Sequence, residues 1–275
     1  MNKNILLIGL LIVSIPAAYA GKSSLKAVLK GEHRSEAFVA RDKYRNPKET
    51  LKFFGVKPKM TVVEIWPGGG GWYTEILAPY LRDKGKLYAA QFNPDSDIKY
   101  FQRGRKKFLE KIAAKPDIYD RVEVTTFDPP EHVDIAPPAS ADYVLTFRNV
   151  HNWYMYGSGE ERLVSAFKAF YDVLKPGGLL GVVEHRLPAS RPLSDQDKSG
   201  YMRQDYVIQI AEKVGFKLVD ESEINANPKD TADHPKGVWT LPPSLRLKDK
   251  DRERYVAIGE SDRMTLKFKK PKAAK

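Results

Sequence analysis

The chain has 275 residues, a formal net charge of +11 and no cysteine. The missing thiol excludes a disulfide framework, a lipoprotein modification, a thiolate metal site and a cysteine nucleophile together. The length suits one large α/β domain, and the charge gathers locally, at Arg103, Arg105, Lys106 and Lys107 and again at Lys267, Lys269, Lys270, Lys272 and Lys275. Such clusters suit weak contact with an anionic membrane surface, and equally suit solvated helix faces and a frayed tail. No basic motif interleaved with aromatics is present, so nucleic acid is not an expected partner.

Residues 1–20 have the layout of a secretory signal. Lys3 gives a positive start, Ile5 to Ile15 is a mostly apolar run, Pro16 breaks it, and Ala18-Tyr19-Ala20 is the small-x-small pattern that a signal peptidase accepts. The run is shorter than the roughly 20 residues that cross a bilayer as a helix. A cleavable signal peptide and a periplasmic protein are therefore expected, with an uncleaved N-terminal anchor as the alternative.

Residues 21–45 are polar and aperiodic, which predicts an irregular arm. A helix is predicted next, with Asn46 as cap, Pro47 at the first helical position and Glu49 three residues after the cap, ending near Gly55. Thr61 to Trp66 is an apolar run with valine and isoleucine, a buried strand, and four glycines, Gly68 to Gly71, follow it. Further strands are predicted over 86–92, 122–127, 141–147, 179–184, 216–224 and 263–269. Helices are predicted over 72–81, 98–114, 160–174 and 203–214. In the third of these Leu163, Phe167, Phe170 and Leu174 recur every three or four residues, and Lys175-Pro176-Gly177-Gly178 stops it. Alternating strands and helices predict a doubly wound, seven-stranded, mostly parallel Rossmann-like sheet. No periodic helix is predicted between the last two strands, so the final strand is expected to return antiparallel. Residues 46–270 form the expected domain and 271–275 a basic tail.

Ligands of such sheets bind beyond the carboxyl ends of the strands, where chain order reverses. The run Glu64-Ile65-Trp66-Pro67-Gly68-Gly69-Gly70-Gly71 stands at that edge. A phosphate-cradling P-loop fails here, because Trp72 and Tyr73 stand where lysine and a hydroxyl residue are needed. A dinucleotide fingerprint fails as well. Starting from Gly68 or Gly69, its third small residue falls on Tyr73 or Thr74. An S-adenosylmethionine corner, an acidic residue late in the first strand followed by glycines, fits Glu64 and the glycine run.

The segment Val62 to Gly71 resembles motif I of the class I methyltransferases that use S-adenosylmethionine. Together, Glu64 to Thr74 and Arg148-Asn149-Val150-His151-Asn152-Trp153 look like an exported group of predicted bacterial methyltransferases. The resemblance spans roughly residues 46–270. It implies S-adenosylmethionine as cofactor, with Gly68 and Gly70 against its methionine part and Glu64 at its amino end. It also implies Gln91 at the ribose, where the family usually has an acidic residue, and Asp128 at the adenine amino group. Trp66 departs from the family, standing where motif I has its first glycine. Glu64 can alternatively brace the loop, Asp128 can cap a turn, and Trp66 can be core.

For chemistry, His151 is the candidate general base and Asn149 a candidate acceptor ligand, with Trp153 as a pocket wall. His185, Tyr201, Arg203, Asp205, His234, Trp239 and Arg246 are further candidates, the last three on a long segment, 225–261, that is expected to act as a lid. Glu184, His185 and His151 come from different strands without local ligand spacing, so no metal is expected. The expected function is methyl transfer to a small-molecule or envelope acceptor. The alternative is a non-catalytic exported binding protein on the same fold.

Overall fold

The computed structural model describes residues 24–157 and 159–272. The segment read as a signal peptide, residues 1–20, lies outside them, as does the end of the basic tail, 273–275. Seven strands make the main sheet: β1 (Thr61–Ile65), β2 (Lys86–Gln91), β3 (Val122–Thr126), β4 (Ala141–Phe147), β5 (Leu174–Leu187), β6 (Lys217–Ser222) and β7 (Arg263–Lys269). Their spatial order is β3-β2-β1-β4-β5-β7-β6. A two-residue strand, Met202–Arg203, pairs with the far end of β5. β7 runs antiparallel to both its neighbours, β5 and β6, and the other pairs are parallel. This is the doubly wound sheet with an antiparallel last strand that the alternating pattern predicts.

The helices that matter for the site are α1 (Pro47–Phe54), α2 (Thr74–Leu81), α3 (Lys99–Ala113), α4 (Val150–Met155), α5 (Glu160–Val173), α6 (Gln204–Val214) and α7 (Arg252–Ile258). Side chains alternate across a strand, so β1 feeds both layers. Val63 and Ile65 join Phe167 and Phe170 of α5 and Ile210 of α6 on one face. Val62 joins Leu51 and Phe54 of α1 and Ile76 and Leu77 of α2 on the other. Each such buried side chain contributes about 1.5–3 kcal/mol relative to exposure. Glu64 shares the face of Val62 and so points toward α2.

Three expectations are corrected. The arm is not irregular: Leu25–Leu29, Glu36–Val39 and Asp42–Arg45 are short helical turns, with Val28 buried against the α1–α2 layer. Local periodicity is too brief there to register. Asn46 stands at the N-cap position of α1, and Pro47 opens the helix, but at φ 42 the Asn46 side chain does not cap it; its amide donates to the Ile224 carbonyl at 2.7 Å instead. The segment between β6 and β7 contains α7, whose seven residues are too few to show a clear period.

Candidate active site

Chain order across the sheet reverses between the parallel neighbours β1 and β4, and a cleft of about 600 Å³ opens above their carboxyl ends. Its base is the corner between β1 and α2. Trp66 and Gly68 both take positive φ, 45 and 68, which turns the chain sharply out of the strand. The Trp66 amide donates to the Ala90 carbonyl at 2.8 Å, and its indole N–H reaches the Phe127 carbonyl at 2.7 Å. That bond draws the ring down among Phe92, Phe101 and Trp153, at centroid distances of 5.0, 5.0 and 5.5 Å. Trp66 is therefore floor, not plug. A β-carbon built on Gly68 meets nothing within 4 Å, so the corner is open to the cleft there. At Gly70 the same construction meets Phe38 of the arm at 2.7 Å. Gly70 is bare because an arm phenyl lies on it.

The other residues expected to touch a cofactor are engaged within the protein, Glu64 and Gln91 with the corner and Asp128 beyond it. Glu64 is 2% exposed and accepts a 2.7 Å hydrogen bond from the Thr74 hydroxyl. Gln91, also buried, donates to the Gly68 carbonyl at 3.1 Å and accepts from the Phe92 amide at 2.9 Å. Asp128 pairs with Arg162 at 2.5 Å and with Asn93 at 3.1 Å. None of the three lines the cleft, whereas Gly68, Gly70, Asn149 and His151 do. The wall beyond β2 is instead aromatic, with Phe92, Tyr100 and Phe101. Trp153 is wholly buried core rather than wall.

Burial pushes the Glu64 carboxyl up to about 7, against the pull of the Thr74 hydroxyl and the Lys111 charge. A raised pKa means that folding favours the protonated form. This stabilisation is complete below the ordinary value of 4.5 and is lost as pH rises through about 7. Glu64→Gln removes that loss. The variant should therefore resist urea better than the parent at about pH 8, by up to about 3 kcal/mol, and should match it near pH 4.5. Urea titrations at the two pH values read this directly, and a gap that fails to widen with pH contradicts the burial argument.

Beyond β4 the chain turns at Arg148, φ 63, into α4. Asn149 donates to the Ile65 carbonyl at 2.9 Å, tying the end of β4 to the end of β1. Glu184, on β5, is fully buried and gathers four donors: the amides of Val150 (2.5 Å), His151 (3.3 Å) and His185 (2.7 Å), and Nδ1 of His151 (2.9 Å). A carboxylate below the first amides of α4 is favourable, since those N–H groups have no partner within the helix. Accepting from Nδ1 also leaves the His151 lone pair on Nε2. His185 lies beside His151, ring centroids 5.2 Å apart and planes tilted by 50°, with its Nδ1 2.5 Å from the Ser261 hydroxyl. Burial, then the nearby His151, Arg263 and Arg148, hold His185 well below the ordinary histidine range.

His151, Glu184 and His185 thus come together, each with one ligand atom within 4.8 Å of the others, which their separate strands did not suggest. Two observations weigh against a cation there. The Glu184 oxygens are taken up by N–H donors, and the flanking charges on Arg148, Arg263 and Arg45 are positive.

The segment 225–261 covers the cleft, with Trp239 6.0 Å from His151 and Arg246 stacked on Trp239 at 4.5 Å. Other candidates lie elsewhere. Tyr201 and His234 both bond Asp230, and Arg203 pairs with Asp205. Phe38, Arg41, Arg45 and Glu260 line the cleft without having been singled out. Their only sequence signal is arginine density in the arm.

No family profile and no curated protein sequence matches the chain. Solved structures do. An S-adenosylmethionine-dependent methyltransferase from Aquifex aeolicus superposes with a TM-score of 0.55 at 16% identity, over 90% of this chain and 99% of that one. Phosphoethanolamine N-methyltransferase 2 from Haemonchus contortus, in complex with S-adenosyl-L-methionine, gives 0.54 at 17% identity, over 91% and 60%. The cyclase SpnF gives 0.54 at 14%, over 89% and 86%. The structural neighbours are thus largely methyltransferases dependent on S-adenosylmethionine, and at these identities the likeness is one of fold.

Proposed function

We propose that the protein transfers a methyl group from S-adenosylmethionine to an O–H or N–H acceptor, with His151 as general base. The observation that carries this reading is His151 itself. It faces a cleft built on an open glycine corner, its Nδ1 held by the buried Glu184 carboxylate. Gly68 leaves main chain bare for close approach of the donor, and Trp66, Phe92 and Phe101 offer it an aromatic floor and wall. When bound, the donor supplies a sulfonium methyl, whose carbon–sulfur bond breaks with its electron pair going to sulfur as the acceptor lone pair forms the new bond. Nε2 of His151 receives the acceptor proton, and Glu184 stabilises the resulting imidazolium. His185, kept neutral, does not compete for that proton.

One specific observation favours the second reading, a non-catalytic binding protein. Glu64, Gln91 and Asp128 are all engaged within the protein. The signal-like residues 1–20 support export to the periplasm, as in the exported group that motif I and the Arg148–Trp153 segment resemble. The acceptor is then a small molecule or an envelope component, and the basic clusters give at most weak contact with anionic membrane surfaces. The catalytic unit is residues 46–270, with the arm as its accessory wall. The test is transfer of labelled methyl from S-adenosylmethionine to fractionated small molecules and envelope extract. His151→Gln should lower the rate about 100-fold while donor affinity stays within about threefold. Equal rates in parent and variant overturn the assignment of His151.

A further inference from the structure

Four guanidinium groups crowd one side of the cleft around a single carboxylate. Glu260, 3% exposed, accepts from Arg41 at 2.6 Å, Arg45 at 3.3 Å and Arg263 at 2.5 Å. The fourth, Arg148, lines the cleft and makes no side-chain hydrogen bond or ion pair among the described residues. Arg246, on the covering segment, also lines the cleft and has no carboxylate partner among the described residues; it rests on Trp239. Burial, and then Arg263, lower the Arg148 pKa to about 10 against the pull of Glu260, so at neutral pH it stays charged. Arg148 is also held at φ 63, a left-handed conformation that non-glycine residues seldom adopt. An arginine that is half-buried, lines the cleft and has no side-chain hydrogen-bond partner among the described residues suits two-pronged recognition of a carboxylate or phosphate.

We infer that Arg148, backed by Arg45 and Arg41 and faced by Arg246, forms an oxyanion subsite beside His151, and that the methyl acceptor carries a carboxylate or phosphate group. This rests on the proposed methyl transfer and specifies its substrate class. Arg148 follows β4, next to β1, and its guanidinium lies close to Arg263 of β7. Glycines follow β1, whereas His185 and Arg263, which pair across β5 and β7, stand two and three strands away, roughly 10 and 14 Å at the usual strand spacing. An acceptor whose anion lies over β5 and β7 presents its nucleophile toward β4, where His151 stands.

The test is calorimetric titration of the protein with inorganic phosphate and with acetate at constant ionic strength, each with and without saturating S-adenosylhomocysteine. At least one anion should bind, at the same affinity within about threefold when the nucleoside is present. Tighter phosphate binding identifies a phosphate-bearing acceptor and tighter acetate binding a carboxylate. Arg148→Gln should weaken the anion at least tenfold, Arg148→Lys less, and neither should change nucleoside affinity more than about threefold. No anion binding, or no change in Arg148→Gln, overturns the subsite. Competition between anion and nucleoside overturns it too, because the arginines then serve the amino-acid end of the donor. Failure of the nucleoside alone to bind overturns the methyltransferase reading instead.

Discussion

Replacing Glu184 with glutamine should cost about 1–3 kcal/mol of stability and most of the catalytic rate. The carboxylate meets N–H donors on both oxygens: Val150 and His151 amides on Oε2, His185 amide and His151 Nδ1 on Oε1. Glutamine keeps the shape but turns one oxygen into an NH₂ group: on the Oε2 side it faces two amide donors, and on the Oε1 side only the His185 amide, because Nδ1 of His151 can switch tautomer and accept. Each orphaned buried N–H costs about 1–3 kcal/mol. In the second, less costly placement the fixed Nδ1 proton of His151 is lost, so the Nε2 lone pair is no longer held toward the cleft. Urea unfolding and the transfer assay read the two effects separately. A variant as stable as the parent shows that α4 does not depend on this carboxylate. A stable but inactive variant keeps Glu184 as a positioning residue alone.

The Glu260→Gln variant should lose about 3–5 kcal/mol, the range for breaking a buried pair and leaving charge uncompensated. Here one carboxylate answers three bonded guanidiniums, two of them, Arg41 and Arg45, on the arm and one, Arg263, on β7. Losing it leaves like charges in contact and frees the arm. Burial alone raises the Glu260 pKa, but Arg263, Arg45 and Arg41 outweigh it and hold the group at about 2. A depressed pKa contributes stability that is present above the ordinary 4.5 and lost as pH falls toward 2, about 3 kcal/mol over that interval. The parent should therefore weaken steeply in acid, and the variant, lacking the group, should show less of that slope. Parallel acid slopes contradict the assignment. Limited proteolysis adds a local readout, since cleavage within residues 24–45 should quicken in the variant.

Much of the scaffold was legible in the chain. Strands over 141–147 and 263–269 stand where the pattern put them, because buried parallel strands read as unbroken apolar runs and the last strand as a strict alternation. The glycine corner was visible because glycine adopts the positive φ of position 68 without strain and leaves its face open. Less of the site was visible. Glu64, Gln91 and Asp128 carry the residue types expected at a cofactor, but whether a side chain faces the cleft or braces the loop depends on Thr74, Gly68 and Arg162, partners not adjacent in sequence. The Glu184–His151 bond joins residues 33 positions apart, and the Arg41–Glu260 pair residues 219 apart. No local period reports such contacts. The arm's role as a wall of the cleft was hidden for the same reason.

The claim on which the rest depends is that the corner after β1 takes the adenosyl donor. Calorimetric titration with S-adenosylmethionine and its demethylated product tests it most directly. The expected result is a dissociation constant on the order of micromolar, weakened at least tenfold by Gly68→Ala, whose added methyl enters open cleft rather than packed protein and costs about 1–2 kcal/mol in backbone strain. A folded parent protein that takes up neither compound contradicts it.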